Sequence, residues 1–420
     1  MRILIIHNSY QQRGGEDVVV ERESALLRSF GHEVVEYRRT NREFAEHRLG
    51  GLAAAGRGLW SNTSYREVVE LIEASRPDVA HVHNTFVLIS PSVYYACRRL
   101  GIPVVQTLHN YRLICARADL FRENAICEQC VGRSIPWPAV WNRCYHSSAA
   151  QTAAAAAIYH GHRLMGTWLK LVDVYVTPSE FTKQKLCSQV LPRERVVVKP
   201  NFVFPDPGPR SSRGSYAIFV GRLSPEKRIV TLLKAWREFK HFPIKVLGTG
   251  NFEKQLHVAA VESGLDNVEF CGHRSPSEVF AALKEAAFLV FPSEWYETFG
   301  LGMVEAYACG VPVIASRLGA MAEIVRDGES GLLFAPGDSN DLAAKINWAI
   351  AHPDAMVEMG KTARRLFEAH YTAEKNHELL MMIYRRAIES RSRAAGTRAL
   401  SQSAGEALES SAANAIGEPT

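Results

Sequence analysis

The chain has 420 residues, 47% hydrophobic and 22% charged, with a formal net charge of +5. That length exceeds what one core usually spans, and the composition is that of a globular protein, so two domains are expected. The charge is too mild to demand nucleic acid, no apolar run reaches the roughly 18 residues of a membrane span, and the apolar start Met1-Arg-Ile-Leu-Ile-Ile is too short for a secretory signal. A cytoplasmic chain without a nucleic-acid partner is expected, and contact with anionic substrates or an anionic membrane surface stays open.

Taken in chain order, Ile3 to Ile6 reads as the first strand and is followed by Gly14-Gly15-Glu16-Asp17, where a helix begins. Paired glycines at a strand end allow a ligand close to the backbone, or simply make a tight turn. The spacing is not G-x-G-x-x-G, which weighs against a dinucleotide oxidoreductase. Strands are then predicted at Glu33 to Tyr37, Val79 to Val82 and Val104 to Leu108. His109 closes the last of these in a polar loop, where an imidazole can serve a reacting hydroxyl or be merely structural. His81 and His83 at the neighbouring strand end read as cleft lining.

Four of the eight cysteines follow: Cys115, Cys127, Cys130 and Cys144, the middle pair as Cys-Glu-Gln-Cys. In a cytoplasmic chain this set suggests a structural zinc site of four thiolates. Packed reduced thiols and a redox switch are the other readings. The remaining four, Cys97, Cys187, Cys271 and Cys309, read as small buried residues. The stretch Ala149 to Leu171, rich in alanine and carrying His160, His162, Arg163 and Lys170, reads as a helix, either core or resting on a membrane surface.

Strands at Val174 to Thr177 and Val196 to Val198 close this series, and Pro205 to Ser215 reads as a linker. The pattern restarts at Ala217 to Val220, Ile244 to Leu247, Val268 to Cys271, Phe288 to Phe291, Val311 to Ala315 and Leu332 to Phe334. Two such series predict an α/β protein of two doubly wound parallel sheets, with a ligand in the cleft between them at the carboxyl ends of the strands. The first strand of the second series ends in Gly221-Arg222-Leu-Ser-Pro-Glu-Lys227, two cations that could both reach a diphosphate. After the fourth comes Glu297-Thr-Phe-Gly-Leu-Gly-Met-Val-Glu305, with Glu297 in a loop and Glu305 inside the helix that follows. That helix start suits phosphate. The last ordered segment, 353 to 388, is amphipathic, and the tail from 391 to 420 reads as disordered.

With Gly14-Gly15, His109, Gly221-Arg222 with Lys227, Gly248-Thr-Gly250, and Glu297 with Glu305 in this order, the chain resembles the retaining glycosyltransferases of family 4 (glycosyl transferases group 1) from Met1 to about Ile388. The resemblance implies the GT-B fold, two Rossmann-like domains facing a cleft. Residues 1–204 would form the acceptor side, with the Cys-rich insertion at 115–145. A linker at 205–215, a nucleotide-sugar domain at 216–370 and a helix at 371–390 returning to the first domain would follow. It further implies that Arg222 and Lys227, with amides of Phe299, Gly300 and Leu301, hold the donor diphosphate. Glu305 would take the ribose, Glu297 and His109 the transferred sugar, and Gly248, Gly250, His273 and Arg274 would border the base. Gly14 and Gly15 are candidates for close ligand approach on the facing domain.

The partners so implied are a UDP- or GDP-sugar and a glycan or polyprenyl-linked acceptor, in making surface or exported polysaccharide, with peripheral contact at the inner face of the membrane left open. No cofactor is expected for catalysis, because no Asp-x-Asp for a diphosphate-bridging metal occurs; zinc is expected only as a structural ion. A nucleotide-sugar epimerase of the same architecture and a non-catalytic, zinc-stabilised nucleotide-binding protein are the alternatives.

Overall fold

The structure is a computed structural model that describes residues 1–11, 14–43 and 56–393. All twelve predicted strand runs form strands. The first six are β1 (Arg2–Ser9), β2 (Glu33–Thr40), β3 (Val79–Asn84), β4 (Val104–Thr107), β7 (Val174–Thr177) and β8 (Val196–Val198). Their sheet is wholly parallel, in the order β2-β1-β3-β4-β7-β8. Between them a two-residue hairpin, β5 (Phe121–Arg122) and β6 (Ala125–Ile126), folds within the Cys-rich insertion.

The second sheet is made of β9 (Tyr216–Val220), β10 (Ile244–Leu247), β11 (Val268–Gly272), β12 (Ala286–Phe291), β13 (Val313–Ser316) and β14 (Gly331–Phe334), in the order β11-β10-β9-β12-β13-β14. This is the expected fold class: two doubly wound parallel sheets. Parallel strands buried on both faces need apolar residues in both phases, and the sequence runs supply them.

Strand order reverses between β1 and β3 in the first sheet and between β9 and β12 in the second. In open α/β sheets a crevice forms beyond the strand ends at such a switch point. The Gly14-Gly15 turn follows β1, the Arg222 and Lys227 loop follows β9, and the Glu297 loop follows β12.

In the first sheet the strands alternate between two cores. Leu4, Ile6, Ala80, Val82 and Val104 face one. Ile3, Ile5, Val79, Val105 and Val174 face the other, under the helix Gly15–Ser29 and a final helix over residues 373–393 whose Leu380, Ile383, Tyr384 and Ala387 join the same cluster. The predicted segment 353–388 is therefore two helices, Pro353–His370 and 373–393, broken at 371–372. Residues 391–393 continue the second helix; the rest of the predicted tail lies outside the described residues.

The predicted helix Ala149 to Leu171 is also interrupted. It runs Ala149–Leu164, and Gly166, at φ +74°, turns the chain into the short helix Thr167–Lys170. Among the described residues no helix is long and apolar enough to cross a membrane.

Candidate active site

A cleft of about 2530 Å³ lies between the two sheets. Its walls include every residue predicted on the donor side and at the glycine turn: Gly14, Gly15, His109, Arg222, Lys227, Gly248, Gly250, His273, Arg274, Glu297, Phe299, Gly300, Leu301 and Glu305.

On the second domain the loops are shaped by backbone packing. A Cβ on Gly248 would lie 1.9 Å from the carbonyl oxygen of Gly221, and one on Gly250 would lie 2.2 Å from that of Leu223. Those contacts admit only hydrogen, so the two glycines let the β10 loop lie directly on the β9 loop. Gly14 and Gly15 differ, since a Cβ there would meet nothing within 4 Å of the protein itself.

Past Gly221 the chain makes a single turn, Pro225–Lys227, that brings Lys227 onto Glu297 in an ion pair across the β9/β12 switch point. Glu297 is 7% exposed and also accepts from Ser293 Oγ at 2.9 Å, while the Lys227 ammonium lies 5.2 Å from the centroid of the Phe291 ring. Arg222 is exposed in the cleft, and its side chain has no partner among the described residues. The helix Leu301–Ala308 starts beside them with Gly300 as its N-cap at φ +96° and no capping side chain, so its first amides are left for a ligand. Glu305, one turn in, is bonded across the cleft to Arg22 of the helix Gly15–Ser29 at 2.8 Å.

The first domain closes the opposite wall. Thr298 Oγ1 donates to the backbone carbonyl of His109 at 3.1 Å, and Ser179 Oγ donates to the Thr298 carbonyl at 2.7 Å, so the Glu297 loop is tied to the β4 end. His109 itself is half-buried with Nε2 3.0 Å from His83 Nδ1. His81 and His83 are not cleft lining. Both are buried beneath the helix Gly15–Ser29, because residues 79, 81 and 83 share the strand face that this helix covers.

Sequence reasoning missed much of this wall. Glu16 is aimed among Asn84, Asn110 and Arg112, its Oε1 is buried without a hydrogen-bond partner, and burial together with neighbouring Asp17 raises its carboxyl to about 8. Tyr10 is raised to about 12, by burial first and then by Glu16. Behind them Glu23, Lys199, His7 and Tyr384 are buried polar groups joined only by the fold. The one available signal was the alternation His81-x-His83, which puts two imidazoles on one face of a strand.

The four candidate zinc cysteines share one neighbourhood and do not themselves line the cleft, although Asp119, Phe121 and Tyr145 of the same insertion do. Burial, followed by the fields of Cys115, Cys144 and Cys127, raises the Cys130 thiol to about 11. Their sulfurs are nonetheless spread. Among the described residues the one set of three or more metal-binding side chains with ligand atoms within 4.8 Å of one another is Glu23, His81 and His83. That set is poorly suited to an ion. Lys199 already pairs with Glu23, and His81 uses both ring nitrogens, on Tyr384 Oη at 2.8 Å and Thr107 Oγ1 at 2.7 Å. Of the other cysteines, Cys97 and Cys309 are buried, whereas Cys187 and Cys271 are half-buried.

Two family models match consecutively: Glycosyltransferase Family 4 over residues 13–206 and Glycosyl transferases group 1 over residues 205–366. An uncharacterized glycosyltransferase of Methanocaldococcus jannaschii is 34% identical over 38% of this chain, and the match spans 45% of that protein. Among solved structures, sucrose-phosphate synthase from Thermosynechococcus elongatus superposes with a TM-score of 0.67 at 19% identity, covering 93% of this chain and 99% of that one. Anabaena HepE, solved in complex with UDP and glucose, gives a TM-score of 0.62 at 17% identity, covering 90% and 98%.

Proposed function

Because the chain belongs to the group 1 glycosyltransferases with the GT-B fold, we propose that it moves a sugar from a UDP- or GDP-sugar to a glycan or polyprenyl-linked acceptor, with retention of configuration and without a catalytic metal. The observation that carries this reading is the convergence, in one cleft, of unpaired Arg222, Lys227 and the uncapped helix start at Leu301, facing His109. Two cations and a row of free amides match a diphosphate, and they stabilise the charge that grows on it as the bond from sugar C1 to phosphate oxygen breaks.

In this reading the acceptor oxygen bonds to C1 from the face the diphosphate leaves, and the departing phosphate oxygen takes the acceptor's proton. Glu297, held by Lys227 and Ser293, orients the moving sugar, and Glu305 takes the ribose hydroxyls. His273 and Arg274 border the base. HepE, which has been solved with UDP and glucose, supports a nucleotide-sugar donor.

A thermal-shift panel of UDP- and GDP-sugars identifies the base, since a cleft ligand stabilises according to its occupancy. NMR of the product with an acceptor then gives the anomeric configuration. Inversion, or turnover lost in EDTA and restored only by Mg²⁺ or Mn²⁺, would overturn the mechanism. Conversion of donor without acceptor would point to an epimerase.

We extend the proposal to the insertion. Zinc would draw Cys115, Cys127, Cys130 and Cys144 together and order the loop beside the acceptor, supported by the mutual fields of these thiols. Elemental analysis of protein purified without added metal should find one zinc per chain; much less sinks this part. Peripheral attachment at the inner face of the membrane is supported by exposed Ile135, Trp137, Trp141 and Leu164, with Arg133 lying 5.3 Å from the Trp137 ring centroid. Salt-sensitive co-sedimentation with anionic vesicles is the expected result.

A further inference from the structure

Behind the cleft wall a line of buried polar side chains runs from the second core to His109. Lys199, 1% exposed, pairs with Glu23 through Oε1 and reaches Asn376 Oδ1 at 3.4 Å. The other Glu23 oxygen, Oε2, and His83 Nε2 are both buried without a hydrogen-bond partner and lie 3.5 Å apart. His83 Nδ1 in turn lies 3.0 Å from His109 Nε2, with the two rings stacked at 5.3 Å between centroids. His109 Nδ1 has no partner among the described residues, and the ring borders the cleft.

The proton positions follow from this chain of contacts. Burial, reinforced by the neighbouring imidazoles and Lys199, holds both His83 and His109 well below the ordinary histidine value, so each ring is neutral with one N–H and one lone pair. Of the two ways to place the protons, one aims the His83 Nε2 lone pair at a carboxylate oxygen. The other aims its N–H there, which is the electrostatically favourable arrangement for two buried atoms that have no other partner. His83 Nδ1 is then an acceptor, and the 3.0 Å contact needs a proton from His109 Nε2. His109 Nδ1 is left bare, on a ring that borders the cleft.

We propose that His83, set by the Lys199–Glu23 pair, is a positioning residue that locks His109 as its Nε2–H tautomer, so that Nδ1 accepts a hydrogen bond from a hydroxyl of the transferred sugar. This rests on the placing of that sugar at His109 given above. It adds Glu23, His83 and Lys199 to the machinery, none of which touches the cleft ligand. It also joins the final helix to the site. Asn376 holds Lys199, and Tyr384 Oη holds His81, whose ring lies 4.2 Å from that of His83.

The test is ¹⁵N NMR of histidine-labelled, ligand-free protein, with His109 assigned by the resonances lost in His109→Ala. The expected result is a protonated Nε2 and a bare Nδ1 in the wild type, and a mixture of tautomers in His83→Leu. His83→Gln keeps a donor for Glu23 and an acceptor for His109, so it should preserve the tautomer. In steady-state kinetics His83→Leu should lower kcat about tenfold with donor KM little changed, the loss of one oriented hydrogen bond, and His83→Gln should restore most of it. A proton on Nδ1 in the wild type, or a tautomer indifferent to His83→Leu, overturns the proposal. So does a kcat unmoved by His83→Leu once the tautomer has shifted. A wild-type protein with no glycosyl transfer would instead defeat the proposed function, and the tautomer, read without substrate, would still decide the relay.

Discussion

At the ends of β9, β10 and β12 the residues that meet in the cleft are close in sequence: Arg222 and Lys227 in one loop, Gly248 and Gly250 in the next, Glu297 and Leu301 in the third. Their geometry is made by backbone, through glycines that let one loop lie on another. At the ends of β1, β3 and β4 the pattern is reversed. The cleft wall there is assembled from separate stretches of chain, and His109 in it rests on a buried network drawn from Glu23, His83, Lys199 and Asn376, spread over more than three hundred residues of chain. The first arrangement sets an exposed, unpaired Arg222 and a paired Lys227 before a highly charged ligand. The second excludes water and fixes orientation, which suits hydroxyl groups whose hydrogen bonds must be aimed.

The sharpest way to break this contrast is to remove a cation from the donor side. Lys227→Ala should lower kcat at saturating donor by roughly 10²–10³, the scale for losing one group that stabilises charge growing in the transition state. A loss confined to KM would mean that Lys227 binds donor and transition state alike, and the division between the two walls would blur.

On the buried side the expected signature is a pH dependence of stability. Burial above all pushes the Glu16 carboxyl up to about 8 in the folded protein, from an ordinary value of 4.5. The folded state therefore holds a proton that the unfolded chain has released. Its contribution favours folding at low pH, declines as pH rises from about 4.5, and is fully lost above about 8. Glu16→Gln should flatten the fall in Tm across that window, a difference on the order of a few kcal/mol between its ends. Identical slopes for wild type and variant would place the Glu16 carboxyl in water rather than in the wall.

The same contrast explains what could be read from sequence. Each strand was visible because a parallel strand buried on both faces is a short unbroken apolar run, and the donor-side residues were visible because loop and motif coincide. Glu23 sits among ordinary helix charges, and Lys199 follows a strand like any surface lysine; nothing local distinguishes either. Only tertiary packing puts them in one buried pair. Gly166 was read through as helix for a similar reason, since one glycine within a helical pattern signals a break only when the packing beyond it requires a turn.

The two glutamates of the second domain divide the donor between them. Glu305→Ala should raise the donor dissociation constant about tenfold, the cost of a hydrogen bond to a charged group, whereas Glu297→Ala should act mainly on kcat. Calorimetry with the nucleoside diphosphate separates the two, because that ligand lacks the sugar Glu297 would touch. Equal losses of diphosphate affinity in both variants would contradict the division.

The smallest expected effect comes from the one bond that joins the two walls at this point. Glu305 is held by Arg22, and both side chains are mostly buried, so ribose hydroxyls can take Glu305 fully only by sharing it with, or displacing, the guanidinium. The pair thus taxes donor binding by whatever it is worth, expected at about 1 kcal/mol, a few-fold in affinity. Arg22→Gln should therefore tighten nucleoside diphosphate binding a few-fold and make it less sensitive to salt, with kcat little changed. Weaker binding in that variant would reverse the assignment: Arg22 would then be a donor ligand supplied by the first domain, and the cations that meet the donor would belong to both walls.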